Sequence, residues 1–488
     1  MTISLERMKT LVSHGKMSRR DFAQLSLAAG MTAAAGENLF DATARATPKK
    51  DGHFKAGVGH GETTDTLDPA TWGNGMIANV GYIAFDYLVE IDTKNDVAPG
   101  LAESWESSEE SDRWAFNLRK GVEFHNGKSL DSDDVVASIN HHRGKGSKSG
   151  AKSILENIKD VKTDGKDKVV FELNSGLTDF PYVVSDYHLP IMPASDGKVD
   201  PQSGIGTGPF KREAFEPGVR YAGKRNENYH GDVYFDSVEL LTIADVVARQ
   251  NALGSGDVHY IDRPDLKTLA LLKRNPALEI DQVTGFGHYV APMNTTIAPF
   301  DNKDVRLALK HCFKRDDLVK KVLWGYGTPG NDNPLAPSIK FAKDPDPKHE
   351  FDPDKVKFHL KKAGLDNLKV ELSTSDAAFP GAVDAAVLIA EHARETGIDI
   401  KVVREASDGY WSNVWRNKPW CFSFWTGRPT ADMLFTTAYA AEAAWNGTFW
   451  KNDRFNELLV EARGERDEAK RAEMYSEMQD ILHEDGGA

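Results

Sequence analysis

The 488-residue chain holds only two cysteines, Cys312 and Cys421. So few exclude a disulfide-stapled scaffold, and no Cys/His spacing suits a zinc site. Cys312 falls in an apolar helical pattern with Val305, Leu309, Phe313, Leu318 and Val322. Two buried free thiols are therefore expected, with a disulfide as the alternative. No uninterrupted apolar run approaches the roughly 20 residues needed to span a bilayer. Basic stripes with interleaved aromatics are also missing, and the formal net charge is −14. Residues 1–46 carry six basic and four acidic side chains, a local +2, which leaves −16 on the rest. Such an acidic body gains nothing from a phosphate backbone, which argues against nucleic acid as a partner.

Catalytic signatures are equally scarce. There is no G-x-S-x-G elbow, no H-E-x-x-H helix and no dinucleotide fingerprint after a strand. Gly254-Ser255-Gly256 lacks the flanking spacing and reads as a turn after a helix. Residues 144–152 are basic and Gly/Ser-rich but lack phosphate-loop spacing, so a solvated surface loop is expected. His125, His141 and His142 read as solvent contacts. No metal, no cofactor and no enzymatic activity are expected; a secreted hydrolase or a peptide-binding chaperone remain as alternatives of another class.

What is present describes an exported globular protein. Hydrophobic residues make up 40% and charged residues 27%, and the length asks for two domains of roughly 200 residues. Ser18-Arg19-Arg20-Asp21-Phe22 precedes a mildly apolar stretch to Gly36. Small-residue sites follow at Ala42-Thr43-Ala44 and Ala44-Arg45-Ala46. That pattern predicts a signal peptide over 1–46, and the paired arginines are similar to those of the twin-arginine route.

In the body, Trp114–Arg119 alternates as a half-buried strand, and Val122–His125 resumes the alternation, predicting a hairpin around Lys120-Gly121. Asp131, Asp133 and Asp134 open a helix carrying Val135, Val136 and Ile139. Strand Leu368–Leu372, a helix from about Val383 to Glu395 stopped by Gly397, and strand Ile398–Val403 predict a βαβ unit. Two helices are predicted between Asp453 and Glu484. The fold class is α/β.

From about Asp65 to the end, the chain resembles the peptide, nickel and opine branch of the bacterial extracellular solute-binding proteins. The matching blocks are Leu67-Asp68-Pro69, Leu101–Trp105, Phe116–His125, Gly206-Thr-Gly-Pro-Phe210, Pro299-Phe-Asp301 with Val305-Arg306, Gly325–Gly327, Phe351–Asp354, Ala363–Leu365 and Arg471–Asp485. The resemblance implies a two-lobed periplasmic-binding-protein fold (type II, the large peptide-binding type) with the ligand cleft between lobes. It places lobe I at 47–290, with an inserted subdomain at about 80–200, and lobe II at 291–488. It implies a periplasmic monomer, the substrate-binding component of an ABC importer, with a peptide or other small polar solute as ligand and permease subunits as partners. An oligosaccharide or opine stands as the alternative ligand. Family members run beyond the segment that Met474–Asp485 resembles, so a truncated record is expected.

The family's pocket segments fall on Trp72, Asn74 and Met76, on Tyr289, and on Trp425, Arg428 and Asp432. Trp425-Thr-Gly is similar to the Trp-Thr-Gly of dipeptide-binding members, whose next residue is an aspartate that meets the peptide's amino terminus. Here it is Arg428, whose guanidinium prefers an anionic group; Asp432 is the candidate replacement acid. Tyr410 and Trp445 are further candidates from an aromatic-rich stretch.

Overall fold

The computed structural model describes residues 7, 8, 11, 17–28, 31, 39, 50–283 and 285–488. It divides into two compact units. The smaller comprises 1–53 with 231–237, the larger 54–230 with 238–488. In the smaller unit, helix Arg19–Ala28 follows Ser18, whose hydroxyl donates to Asp21 and accepts from its amide. Met8 and Phe22 are buried together there. The small-residue sites at 42–46 lie outside the described residues.

The larger unit is mixed α/β. Five strands are ordered Phe210–Glu216, Arg220–Arg225, Ser237–Thr242, His53–Val58 and Tyr260–Ile261, the last pair parallel. A four-stranded antiparallel sheet is ordered Ala102–Ser107, Arg113–Leu118, Lys168–Leu173 and Ile158–Thr163. Later in the chain, Leu368–Thr374 pairs parallel with Ile398–Arg404 across helix Ala382–Arg394, the predicted βαβ unit. Gly397, which ends that helix, takes φ +90°, a left-handed conformation that favours glycine. Helices Asp453–Gly464 and Glu468–Asp485 close the chain, as their apolar spacing predicts. Among the described residues, every strand ladder lies wholly before residue 262 or wholly after residue 287. The buried clusters divide in nearly the same way. Met433 is the exception: it packs into the core built from residues 88–191.

The predicted hairpin at Lys120-Gly121 does not form. Strand Arg113–Leu118 ends there and pairs on both sides with other strands, while Arg119 donates from its amide to the carbonyl of Leu101. Val122 and Phe124 are buried, but only Glu123 forms a bridge, with Ser129, and the reversal falls at Asn126-Gly127. An alternating pattern reports one buried face; it does not say which strand is the neighbour.

Helix Ser132–His141 shows how local chemistry fixes an element. Asp131 caps it, accepting from the amides of Asp133 and Asp134, and the Asp134 carboxylate returns to the Asp131 amide. Asp134 is fully buried and also takes the Lys128 ammonium at 2.6 Å and the Ala194 amide at 2.6 Å. It is thus a hub joining three segments. Asp134→Ala strands these donors and is expected to lower stability by about 2–3 kcal/mol, read by urea unfolding.

Cys312 and Cys421 are free and buried in one core, so the disulfide alternative is not realised. Burial pushes both thiols up to about 12. An aromatic disulfide reagent at pH 8 is expected to leave both untouched in the native protein and to titrate two thiols once guanidinium unfolds it.

Candidate functional site

The site grows from a short ladder late in the chain. Strand His288–Val290 pairs antiparallel with Ser423–Trp425, setting His288 opposite Trp425 and Tyr289 opposite Phe424. Side chains alternate along a strand, so Phe424 and Trp425 point to opposite faces. Trp425 sits in the core of the C-terminal helices, and Phe424 faces the first half of the chain. Two residues past the strand stands Gly427, whose φ of +85° and contact with Phe286 leave no room for a Cβ. The next helix, Ala431–Ala438, is capped by Thr430, whose hydroxyl accepts from the Met433 amide at 3.2 Å. Between glycine turn and cap, Arg428 has little freedom of direction.

Arg428 is 5% exposed. Its Nη1 donates to the Gly427 carbonyl at 2.8 Å, and its Nε lies 3.3 Å from Asp186 Oδ2. The guanidinium carbon stands 5.7 Å from the centre of the Tyr187 ring. The other carboxylate oxygen of Asp186 accepts from His188 twice, from Nδ1 at 2.6 Å and from the backbone amide at 3.1 Å. His188 Nε2 reaches the Trp72 carbonyl at 2.8 Å. Burial alone would raise the Asp186 carboxyl; the charges of Arg428 and His188 overcome it and hold the group well below the usual carboxylate range.

Aromatic rings continue outward from this group. Trp445 meets His188 at 5.1 Å, Trp425 at 6.0 Å and Trp415 at 6.1 Å between ring centres. Trp415 leads to Trp411, and Trp411 meets Phe424 at 5.3 Å. Against Phe424, the first half of the chain sets His60, edge-on at 5.5 Å, and Arg263, 4.5 Å over the ring. Glu62 accepts from the Trp411 amide at 3.4 Å. An aromatic wall from the second half is therefore faced by charged and polar groups from the first.

Several residues expected in the pocket are used otherwise. Trp72 and Met76 lie in a hydrophobic core with Val80 and Phe85, because the segment folds into helix Gly75–Ala84. Asn74 caps that helix and donates to Asp65. Tyr410 is fully buried, its hydroxyl donating to the Phe422 carbonyl. Asp432 is paired with Arg463 at 2.8 Å and cannot serve as the replacement acid. Tyr289 is 46% exposed and stacks on Phe379 at 4.0 Å. Trp425, Arg428 and Trp445 are brought together, joined by Asp186, His188, Trp411 and Trp415, which the pocket motifs did not reach, and Tyr289 lies opposite Phe424 in the ladder.

Two further corrections concern the histidines and the glycine-rich stretch. His141 pairs with Asp68, His142 is buried on Ser149 and His125 bonds the Gly208 carbonyl, so these are structural contacts and not solvent ones. Burial, then neighbouring His141 and His188, lower His142 to about 3. Residues 144–146 and 148 are surface loop as expected, but 149–151 are buried. A Cβ on Gly150 would stand 2.6 Å from Trp445 and 2.7 Å from His188. Glycine there permits the close approach.

Among the described residues, Asp332, His349 and His483 form a group with metal-ligating atoms close together. Asp332 already receives Arg315 and His349, and both nitrogens of His483 face carbonyl oxygens, of Asn331 and Pro347. Their lone pairs are committed, which does not suit a cation.

Known proteins share this architecture. A dipeptide-binding protein of Escherichia coli is 26% identical over 436 residues, 80% of each chain. Heme-binding protein A of Haemophilus influenzae is 26% identical over 435 residues, 82% of this chain and 79% of that one. The ABC transporter-associated periplasmic binding protein DppA from Helicobacter pylori, solved with the peptide STSA, superposes with a TM-score of 0.82. It is 26% identical and covers 91% of this chain and 92% of its own. The model of the bacterial extracellular solute-binding proteins, family 5 Middle, matches residues 96–447. Since that is most of the chain, it belongs to the family 5 solute-binding proteins.

Proposed function

We propose that this chain is the solute-capturing component of an ABC importer, taking up a peptide or a similarly sized polar solute in the periplasm and passing it to permease subunits. The observation that carries this reading is the aromatic wall Phe424–Trp411–Trp415–Trp445, met across the molecule by Glu62, Arg263 and His188. Rings supply area and charged groups supply orientation, the usual division of labour in a small-molecule site. The kinship with peptide-binding importer components supports the ligand class.

The two lobes, in this reading, are 47–290 and 291–488, and residues 1–46 direct export by the twin-arginine route. The protein acts as a monomer. The site residues are Trp425, Arg428 and Trp445, with Asp186 and His188 across from them.

Binding without chemistry also fits the geometry. The Asp186–His188 pair resembles an acid–base dyad, yet the second ring nitrogen is spent on a backbone carbonyl of Trp72. A base so engaged has no nucleophile to activate.

The test uses the purified protein with a panel of dipeptides, followed by thermal unfolding and mass spectrometry. A bound solute at 100 times its Kd stabilises the folded form by about 2.7 kcal/mol. The expected result is a higher melting temperature with the solute recovered intact. Trp445→Ala is expected to weaken that binding at least tenfold. No shift across the panel, or cleavage of a peptide, overturns the reading.

A further inference from the structure

Residues 143–159 carry five basic side chains, Arg143, Lys145, Lys148, Lys152 and Lys159, and one acidic one, Glu156. That is a local +4 in a chain of −14. Like charges ordinarily spread into solvent, but here the fold gathers three of them around a cavity. A left-handed turn at Gly144, φ +96°, and the one-turn helix Lys152–Leu155 bring Arg143, Lys145 and Lys152 to the walls of a half-open hollow of about 340 Å³. Buried Leu155 and Ile158 add apolar wall, and Glu156 is the one carboxylate among the lining residues.

The cations of this hollow are not neutralised within the fold. Arg143 donates to Asn140 Oδ1 at 2.8 Å and to the carbonyls of Ile158 at 2.5 Å and Lys159 at 3.2 Å. These neutral acceptors fix the guanidinium in place while leaving its charge and its remaining N–H groups uncommitted. The Asp160 carboxylate acts on Arg143 from a distance but is itself paired with Lys162 at 3.2 Å. Among the described residues, Lys145 and Lys152 enter no ion pair, and Glu156 comes within pairing distance of neither. Three cations against one carboxylate leave the hollow with a charge of +2.

An oxyanion of matching charge relieves the mutual repulsion of these groups. A phosphate monoester carries about −1.5 to −2 near neutral pH and offers three acceptor oxygens. A single carboxylate brings half that charge and fewer acceptors. Guanidinium and ammonium groups together are the usual holders of phosphate. The volume and the apolar wall exceed what a bare phosphate fills, and the size is that of a small organic ligand.

We propose that this hollow binds a phosphate monoester on a small organic group, with Arg143, Lys145 and Lys152 meeting the phosphate oxygens. The phosphate belongs either to a soluble ester or to a lipid headgroup, and the chemistry of recognition is the same for both. The site lies apart from the aromatic wall and does not depend on the receptor reading.

Calorimetry on the full chain at fixed ionic strength compares glycerol 3-phosphate with glycerol and with succinate, a dianion without phosphate. Co-sedimentation compares phosphatidylcholine vesicles with and without phosphatidic acid. Glycerol 3-phosphate is expected to bind at least tenfold more tightly than succinate, with no binding of glycerol. Capture by the phosphatidic acid vesicles alone assigns the same site to a lipid phosphate. Binding of neither phosphate source, or succinate bound as tightly as the ester, overturns the proposal.

The double variant Lys145→Gln, Lys152→Gln alters side chains that reach solvent and is expected to keep the native circular dichroism. It is expected to weaken binding of whichever phosphate source the wild type takes at least tenfold. Unchanged binding by the folded double variant places the phosphate elsewhere and overturns the assignment. Should the double variant not fold, Lys145→Gln alone, at an exposed position, is read in the same way with an expected loss of at least threefold.

Discussion

Asp186, His188 and Arg428 form a buried electrostatic contact that joins the two halves of the chain. Its strength follows from what surrounds it: with water excluded, the attraction between carboxylate and guanidinium is little screened. Its fragility has the same origin, because either partner left alone is a desolvated charge. The surrounding features serve to hold these groups in place. Gly427 turns the backbone where a side chain would strike Phe286, Thr430 starts the next helix, and Gly150 lets the first half come close to Trp445.

Much of the fold was legible in the sequence because its signals are local. Period-two alternation and a glycine stop reveal the strand–helix–strand unit around Ala382–Arg394. The acidic opening of helix Ser132–His141 reveals its cap. The failure at Lys120-Gly121 is instructive, since Val122 and Phe124 are indeed buried. Burial was correctly readable; pairing was not, for pairing depends on strands brought together from elsewhere.

The site was less legible. Arg428 stood out by departing from a familiar pattern, and Trp425 and Trp445 by composition. Asp186 and His188 carry no periodicity and lie far from Arg428 in sequence, so nothing local announces their meeting. Trp72, Asn74 and Met76 carry a second, local signal. Asn74 before an apolar run is a helix-start signal, and in the structure Asn74 is the cap and Met76 lies in a core.

Met433 has a mechanical consequence. It grows from a helix of the second half, yet its side chain is lodged in the hydrophobic core of the first. Any motion that parts the halves must therefore pull an apolar plug from its socket, or carry that helix along and bend the chain on either side of it. Exposing a methionine to water is unfavourable by about 1.5–3 kcal/mol. A residue with no charge and no place in the pocket thus biases the molecule toward staying shut, and a smaller side chain there would loosen the grip between the halves without altering a single polar contact.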